Sequence, residues 1–169
     1  MATQNIFLTS DIDGKAHAKL GDLGLATRVP SVDGEHAVEK VRGTPDFMAP
    51  EVRHMYNEPK NTSVSKRVSP RADVFGLGIS LFGLVCGGGQ ENFTWSKFGR
   101  QIKVTDEILW SRDGPIYLAV AQLPTGRCKD LVVAAVRRNP SERATAKQLG
   151  DLVDTASSSP GGERLRQLL

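Results

Sequence analysis

Two side chains near the start of the chain, those of Asn5 and Asp22, are the first candidates for chemistry. Asn5 opens the apolar run NIFL, and Asp22 closely follows residues 16–20; both runs are typical of short strands. Between them lies the pair Asp13-Gly14, which favours a two-residue hairpin turn. Because this turn lies midway between Asn5 and Asp22, we expect the hairpin to bring both side chains to its open end.

An amide oxygen beside a carboxylate is a suitable ligand pair for a hard cation such as Mg²⁺, which prefers oxygen ligands. The spacing also allows a purely structural interpretation. In that case Asp13-Gly14 is only a turn, and Asp22 is only the residue that ends a strand. From the residues alone, the hairpin therefore predicts proximity, and a metal site is one of two explanations for it.

The most apolar stretch, residues 69–86, predicts a central helix that positions these side chains. It has no polar stripe at helical spacing, so we expect burial on all sides. Ser69 and Pro70 read as N-cap and first helical residue, and the glycines at 87–89 as a stop. The stretch is shorter than the roughly 20 residues that cross a bilayer. We expect neighbouring elements to approach its glycines closely, namely Gly76, Gly78 and Gly83.

Composition favours one globular domain in a chain of 169 residues. The net charge of +3 is mild, and no basic stripe with interleaved aromatic residues is present, so we expect no nucleic-acid partner. Cys86 and Cys128 lie far apart, without the spacing of a zinc site. The first residues do not resemble a secretory signal. We therefore expect an intracellular, cytoplasmic protein with no membrane segment.

The remaining pattern predicts a mainly α fold with one short β-hairpin. Residues 26–42 and the stretch between residue 57 and Ser69 are polar and lack periodicity, so both are expected to be loops. Further helices are expected at residues 50–56, 115–123, 129–138 and 144–153.

Four segments, in this order and at these distances, resemble the C-terminal lobe of a eukaryotic protein kinase. They are GDLGLA (21–26), GTPDFMAPE (43–51), PRADVFGLGISLFGL (70–84) and RRNPSERATAKQL (137–149). The resemblance implies a kinase-like C-terminal-lobe domain over residues 5–153, with the N-terminal lobe absent. It also implies an activation segment at 22–51 and a flexible tail at 154–169.

The resemblance assigns roles to the two residues of the hairpin. Asp22 matches the aspartate of the family's D-F-G motif, which binds Mg²⁺ bridging the ATP phosphates. Asn5 matches the catalytic-loop asparagine, which holds a second metal ion. The implied cofactors are ATP and Mg²⁺, with Asn5 and Asp22 as metal and cofactor ligands. Leu23 replaces the usual phenylalanine of the motif.

The activation segment carries three further candidates. Thr44 matches the position that helps to seat a protein substrate in the family. Thr27 and Ser31 are candidate phosphorylation sites, although both can equally be solvated loop hydroxyls. The implied partners are a protein substrate or a partner kinase.

Three charged residues match structural positions of the family. Glu51 and Arg143 correspond to a buried ion pair that links the end of the activation segment to the loop before the last helix. Asp73 corresponds to an aspartate that accepts hydrogen bonds from the catalytic-loop backbone. The alternative for Asp73 and Arg143 is that they are ordinary charges at helix ends.

The family's H-R-D motif places the catalytic aspartate five residues before the asparagine, and counting back from Asn5 passes Met1. We therefore expect this chain to lack the catalytic base, the glycine-rich loop and the ATP-binding lysine. The implied activity is ATP-dependent phosphoryl transfer to protein serine or threonine, absent from the isolated chain. Alternatives are a pseudokinase-like binding or scaffold module, or a fragment without a stable fold. Specificity for tyrosine stays open, because Ala2 stands where serine/threonine kinases carry a lysine.

Overall fold

The computed structural model describes residues 3–31, 34–58, 66–85, 120–121, 123 and 125–157. Within these ranges the strands are β1 (Ile6–Ser10), β2 (Ala16–Leu20), β3 (His36–Val38) and β4 (Lys66–Val68). The α-helices are α1 (Pro50–Asn57), α2 (Arg71–Val85), α3 (Arg127–Ala135) and α4 (Ala146–Ser157). Short 3₁₀ helices occur at Thr3–Asn5, Leu23–Leu25 and Pro45–Phe47.

The first two strands form the expected antiparallel hairpin. Ile6 pairs with Leu20 at the open end, and Ser10 pairs with Ala16 next to the turn. The turn is longer than the two residues that the sequence predicts. The last bonded pair is Asp11 and Lys15, where the backbone N–H of Asp11 donates to the carbonyl oxygen of Lys15 at 3.0 Å, and three residues lie between them.

Asp11 organises this turn through its side chain. One carboxylate oxygen accepts the backbone N–H groups of Asp13 at 3.1 Å and Lys15 at 2.8 Å. The other oxygen lies 3.0 Å from Nε2 of His17. Gly14 adopts φ 78°, the left-handed conformation that glycine tolerates best. The Asp-Gly signal was thus correct for a turn, but Asp11 determines its length.

A second small sheet forms where the sequence predicts only loops. Strand β3 pairs antiparallel with β4, so that His36 lies opposite Val68 and Val38 lies opposite Lys66. The guanidinium of Arg67 also donates to the carbonyl oxygen of Glu35 at 2.8 Å. The loop prediction is wrong here because strands of three residues are too short to show a period-two pattern.

Helix α2 begins at Arg71, whose backbone N–H donates to Oγ of Ser69 at 3.2 Å. Ser69 therefore caps the helix as expected, whereas Pro70 lies one position before it. The middle of α2 is buried, but Leu84 and Val85 near its end are 64% and 44% exposed, so burial on all sides is wrong there. Cys86 and the glycines at 87–89 lie outside the described residues.

Helix α3 packs directly on α2 at Gly78. A Cβ placed on Gly78 would lie 2.6 Å from Cβ of Ala135 and 2.8 Å from Cγ1 of Val136. Val136 belongs to the main core, and Ala135 belongs to a second buried cluster. The buried members of the main core are Val41, Met48, Ala49, Val52, Phe75, Ile79, Phe82, Val120, Leu123, Val132 and Val136.

The later helices differ from the sequence expectations at their ends. The helix expected at 129–138 is α3, which starts and stops earlier, and the helix expected at 144–153 is α4, which continues to Ser157. Leu149 of α4 joins a second buried cluster with Val74 and Ala135. Most of the helix expected at 115–123 lies outside the described residues. None of the described helices is long and apolar enough to cross a membrane.

Arg143 is the most deeply buried charge of this part of the chain. Its side chain has no solvent exposure, and its two terminal nitrogens bind the Glu51 carboxylate at 2.8 and 3.0 Å. The same guanidinium donates to the carbonyl oxygens of Arg71 at 3.0 Å, Arg137 at 2.9 Å and Arg138 at 3.1 Å. All five N–H groups of an arginine therefore have an acceptor. The ring of Phe75 lies 5.0 Å from the guanidinium carbon.

Replacing Gly78 with alanine should destabilise the fold, although alanine is the better helix former. The gain in helix propensity is about 1 kcal/mol. The added methyl group would meet Ala135, whose Cβ is fixed to the α3 backbone and cannot rotate away. Overpacking costs roughly 1–3 kcal/mol, and this rigid contact belongs at the upper end. Denaturant unfolding should therefore show a net loss of about 1–2 kcal/mol.

The matched control for this substitution is Gly150→Ala in α4, where an added Cβ has nothing within 4 Å. It should raise the free energy of unfolding by about 1 kcal/mol. Equal stabilisation by Gly78→Ala and Gly150→Ala would contradict the close approach of α2 and α3.

Arg143→Ala should lower the free energy of unfolding by about 3–5 kcal/mol, because it leaves a partly buried carboxylate and several carbonyl groups without their donor. Thermal and denaturant unfolding measure the loss. Lys147→Ala is the control, since Lys147 pairs with Asp151 at the surface with 83% and 57% of the side chains exposed. It should change stability by less than about 1 kcal/mol. A similar small effect of Arg143→Ala would count against the buried pair.

The hairpin turn should contribute a stability that depends on pH. The hydrogen bond with His17, followed by the N–H of Lys15, holds the pKa of Asp11 below its ordinary value of 3.8. Because folding lowers this pKa, the stabilisation is complete above the ordinary value and is lost as the pH falls through the lowered one. Asp11→Asn, which keeps an oxygen for the turn, should be less stable than the parent at neutral pH.

The unfolding curves of parent and Asp11→Asn should converge on titration from about pH 5 to pH 2. Asp13→Asn is the control on the same loop, because Asp13 enters the turn through its backbone N–H. If the gap between parent and Asp11→Asn stays constant down to the lowest pH, the charge of Asp11 does not stabilise the hairpin.

Candidate functional site

The hairpin brings Asn5 and Asp22 together at its open end. Nδ2 of Asn5 donates to Oδ2 of Asp22 over a long hydrogen bond of 3.5 Å. The backbone supports this contact, because the N–H of Gly21 donates to the carbonyl oxygen of Asn5 at 2.9 Å. Asn5 is half-buried and Asp22 is exposed. The proximity that the sequence predicts is therefore present.

The backbone at Gly21 and Asp22 has special requirements. A Cβ on Gly21 would collide with the ring of Phe7, so that ring, which is exposed, packs over Gly21 in a position that a larger residue would force it to leave. Asp22 adopts φ 55° and ψ 60°, and among the described residues no other non-glycine residue has a positive φ. Aspartate tolerates this conformation better than most residues, and such outliers recur at functional sites.

The donor set at this end fits a hard divalent cation. A carboxylate and an amide oxygen are carried by side chains that contact each other. Mg²⁺ is commonly held by one or two side-chain oxygens, with substrate phosphates and water as the other ligands. Asn5 and Asp22 together have the number and type of groups that this pattern requires.

Thr44 lies in the segment that joins β3 to α1. It is exposed, and its side chain makes no capping bond with the 3₁₀ helix Pro45–Phe47 that follows it. Its carbonyl oxygen accepts the N–H of Phe47 at 3.1 Å. Gly43 precedes it with φ 135°, and Met48 and Ala49 are buried in the core. The segment thus presents Thr44 outwards from a well-packed base.

Thr27 and Ser31 lie in the chain between the 3₁₀ helix Leu23–Leu25 and β3. Both residues are exposed. Exposure of the residue is a condition that a phosphorylation site must meet. Phosphorylation of either residue stays a prediction.

Glu51 and Arg143 form the pair described above, with 25% of the Glu51 side chain exposed. Asp73 is exposed in the first turn of α2, a position that fits the alternative of an ordinary charge at a helix end. A carboxylate near a helix N-terminus is favoured by the helix dipole. Its contact with the catalytic-loop backbone stays a prediction.

Sequence reasoning missed one residue that the structure places near this pair, Arg71. Nη1 of Arg71 lies 3.0 Å from the carbonyl oxygen of Pro140 and 2.9 Å from those of Ser141 and Arg143. A single arginine at the start of a helix has no distinctive spacing, and its acceptors are about 70 residues away. No sequence pattern could have identified this contact.

Comparison with known proteins identifies the family of the chain. The profile of the protein kinase domain family matches residues 1–152. The serine/threonine-protein kinase ATG1b of Arabidopsis thaliana is 31% identical over 145 residues, which are 86% of this chain and 18% of that protein. The serine/threonine-protein kinase WNK of Caenorhabditis elegans is 30% identical over 151 residues, 89% of this chain and 7% of that protein.

A third relative is the serine/threonine-protein kinase PLK4 of Nematostella vectensis, 27% identical over 171 aligned positions, with 95% of this chain and 14% of that protein covered. The chain spans less than a fifth of the length of each of these three relatives. Since the family profile covers nearly all of it, from residue 1 to residue 152, the chain belongs to the protein kinase domain family.

Proposed function

We propose that this chain corresponds to the C-terminal lobe of a protein kinase. In this proposal it supplies the metal ligands and a substrate platform, which is formed by residues 44–51 and carries Thr44. The observation that carries the proposal is the contact of Asn5 with Asp22 at the end of the hairpin. It places an amide and a carboxylate side by side, and both groups can supply oxygen ligands to a magnesium–nucleotide complex. Residues 22–51 then act as the activation segment.

Asn5 and Asp22 would hold Mg²⁺, which supplies neutralisation of the phosphate charge of bound ATP. The role of the chain is positional. The hydrogen bond from Gly21 to Asn5 fixes the separation of the two strands, and the left-handed backbone of Asp22 fixes the direction in which its side chain leaves the hairpin. A preorganised pair of ligands loses little entropy when the metal complex binds.

The substrate class that we propose is protein serine or threonine. Two features support it: Thr44 is exposed on a segment whose base is buried, and three relatives are named as serine/threonine-protein kinases. Because Met48 and Ala49 are anchored in the core, Thr44 has a defined position relative to the helices. A bound substrate would thus meet a rigid surface.

We propose further that the isolated chain of 169 residues does not transfer phosphate. The printed sequence contains no H-R-D triplet to supply the family's catalytic aspartate. Loss of a general base alone typically reduces the rate by about 10²–10⁴. The chain on its own would therefore keep the proposed metal ligands but lack the group that accepts the substrate proton, and without the nucleotide-clamping lobe it would bind ATP only weakly.

Titration of the isotope-labelled chain with Mn²⁺ and ATP tests the metal site, because paramagnetic Mn²⁺ broadens NMR signals close to where it binds. We expect selective broadening of the Asn5 side-chain amide and of the Asp22 backbone signal. Asp22→Asn should weaken this binding about tenfold or more, since a charged ligand is lost. Asp13→Asn, at the opposite end of the same hairpin, should leave the affinity unchanged.

Radiolabel transfer from ATP to casein tests the proposed lack of activity in the same preparations. Transfer by the parent that Asp22→Ala abolishes would overturn inactivity and leave the metal site intact. Broadening that is equal in Asp22→Asn and parent would overturn the metal site itself. Capture of a protein partner that survives Asp22→Ala would then favour the pseudokinase-like binding module.

A further inference from the structure

The side chains of Arg71 and Arg143 each donate a hydrogen bond to the backbone carbonyl group of the other residue. Nη1 of Arg143 donates to the carbonyl oxygen of Arg71 at 3.0 Å, and Nη1 of Arg71 donates to the carbonyl oxygen of Arg143 at 2.9 Å. The two contacts join the first residue of α2 to the end of the turn that follows α3. Two like-charged side chains can lie this close because each has oxygen acceptors around it.

The turn between α3 and Arg143 is bound by the side chains of both arginines. It also has backbone bonds of its own, from Glu142 to Asn139 and from Arg143 to Pro140. Arg143 binds the carbonyl oxygens of Arg137 and Arg138, and Arg71 binds those of Pro140 and Ser141. Within the turn, Asn139 accepts the backbone N–H and the hydroxyl of Ser141 through its side-chain oxygen. Without the Arg71 side chain, the carbonyl groups of Pro140, Ser141 and Arg143 would lose this donor. The bond from Arg143 to the carbonyl oxygen of residue 71 would then be left as the described side-chain link between the turn and the start of α2.

We propose that Arg71 is a positioning residue for the substrate platform. It fixes the turn at residues 137–143, so that the guanidinium of Arg143 faces Glu51 in the first turn of α1. Through that ion pair it sets the position of residues 44–51, which carry Thr44. The role of the platform in substrate binding rests on the proposed function. The mechanical link from Arg71 to the platform can be tested without any substrate.

The two arginines differ in what chemistry they require. Arg71 reaches its three acceptors through one nitrogen, Nη1, so a compact ammonium group can make similar contacts. Arg143 uses all three nitrogens, and two of them bind one carboxylate in a fork, which an ammonium group cannot reproduce. Lysine at position 71 should therefore preserve the contacts of Arg71, whereas lysine at position 143 should not preserve those of Arg143.

Hydrogen exchange of the whole 169-residue chain tests the link. The amides of Phe47 and Met48 report on the platform, because they donate to the carbonyl oxygens of Thr44 and Pro45 at 3.1 Å. The amide of Gly21, which donates within the hairpin, is the internal reference. Arg71→Met should accelerate exchange at Phe47 and Met48 about tenfold or more, with Gly21 unchanged.

Lysine variants at the two positions separate positioning from general loss of stability. Arg71→Lys should keep exchange at Phe47 and Met48 within about threefold of the parent, whereas Arg143→Lys should accelerate it about tenfold or more. Lys147→Met, which removes an exposed cation from α4, is the matched control and should change neither amide. If Arg71→Met does not fold, the comparison of Arg71→Lys with Arg143→Lys tests the proposal instead.

Parent-like exchange at Phe47 and Met48 in Arg71→Met would overturn the proposal, and so would equal effects of lysine at positions 71 and 143. Both readouts are independent of nucleotide and metal. Failure of Mn²⁺ and ATP binding with an intact lysine pattern would remove the proposed function and leave the link from Arg71 to the platform standing.

Discussion

The described fold depends most on the burial of the Arg143 guanidinium. A charge without solvent contact is tolerated only where hydrogen bonds and an opposite charge replace water. Here the replacements come from the start of α2, from the turn after α3 and from Glu51 of α1, which lies 92 residues away in the chain. These parts must be in place together, because any missing partner leaves polar groups unsatisfied. The ion pair thereby connects residues 22–51 to the helical core.

Helix α2 supplies the frame for this arrangement. Its apolar residues form much of the core, and Gly78 allows the backbone of α3 to come close enough to pack against it. The cap at Ser69 fixes where the helix begins, and therefore where the side chain and carbonyl group of Arg71 are placed. Just before that cap, β4 pairs with β3 and holds the chain that leads to Thr44. One helix thus orders both the core and the surface next to it.

The two proposed functional surfaces are built by different kinds of interaction. Asn5 and Asp22 meet because of hairpin register, a local property that depends on a turn, two short strands and a glycine beside Phe7. Thr44 is positioned by contacts that span much of the chain, through the buried residues Met48 and Ala49 and through Glu51. A hairpin can bring ligands together early and locally, whereas the platform exists only when the helices have packed.

The sequence by itself determined the features that have a local signature. The hairpin strands, the contact of Asn5 with Asp22, the cap at Ser69 and the central apolar helix all follow from turn chemistry, periodicity and composition. Only the tertiary structure decided the pairing of β3 with β4, the exposure of Asp73 and the bonds of Arg71, since these depend on segments that are distant in sequence. Local patterns specify elements, but the partners of a long polar side chain are specified by which backbone groups packing leaves within its reach.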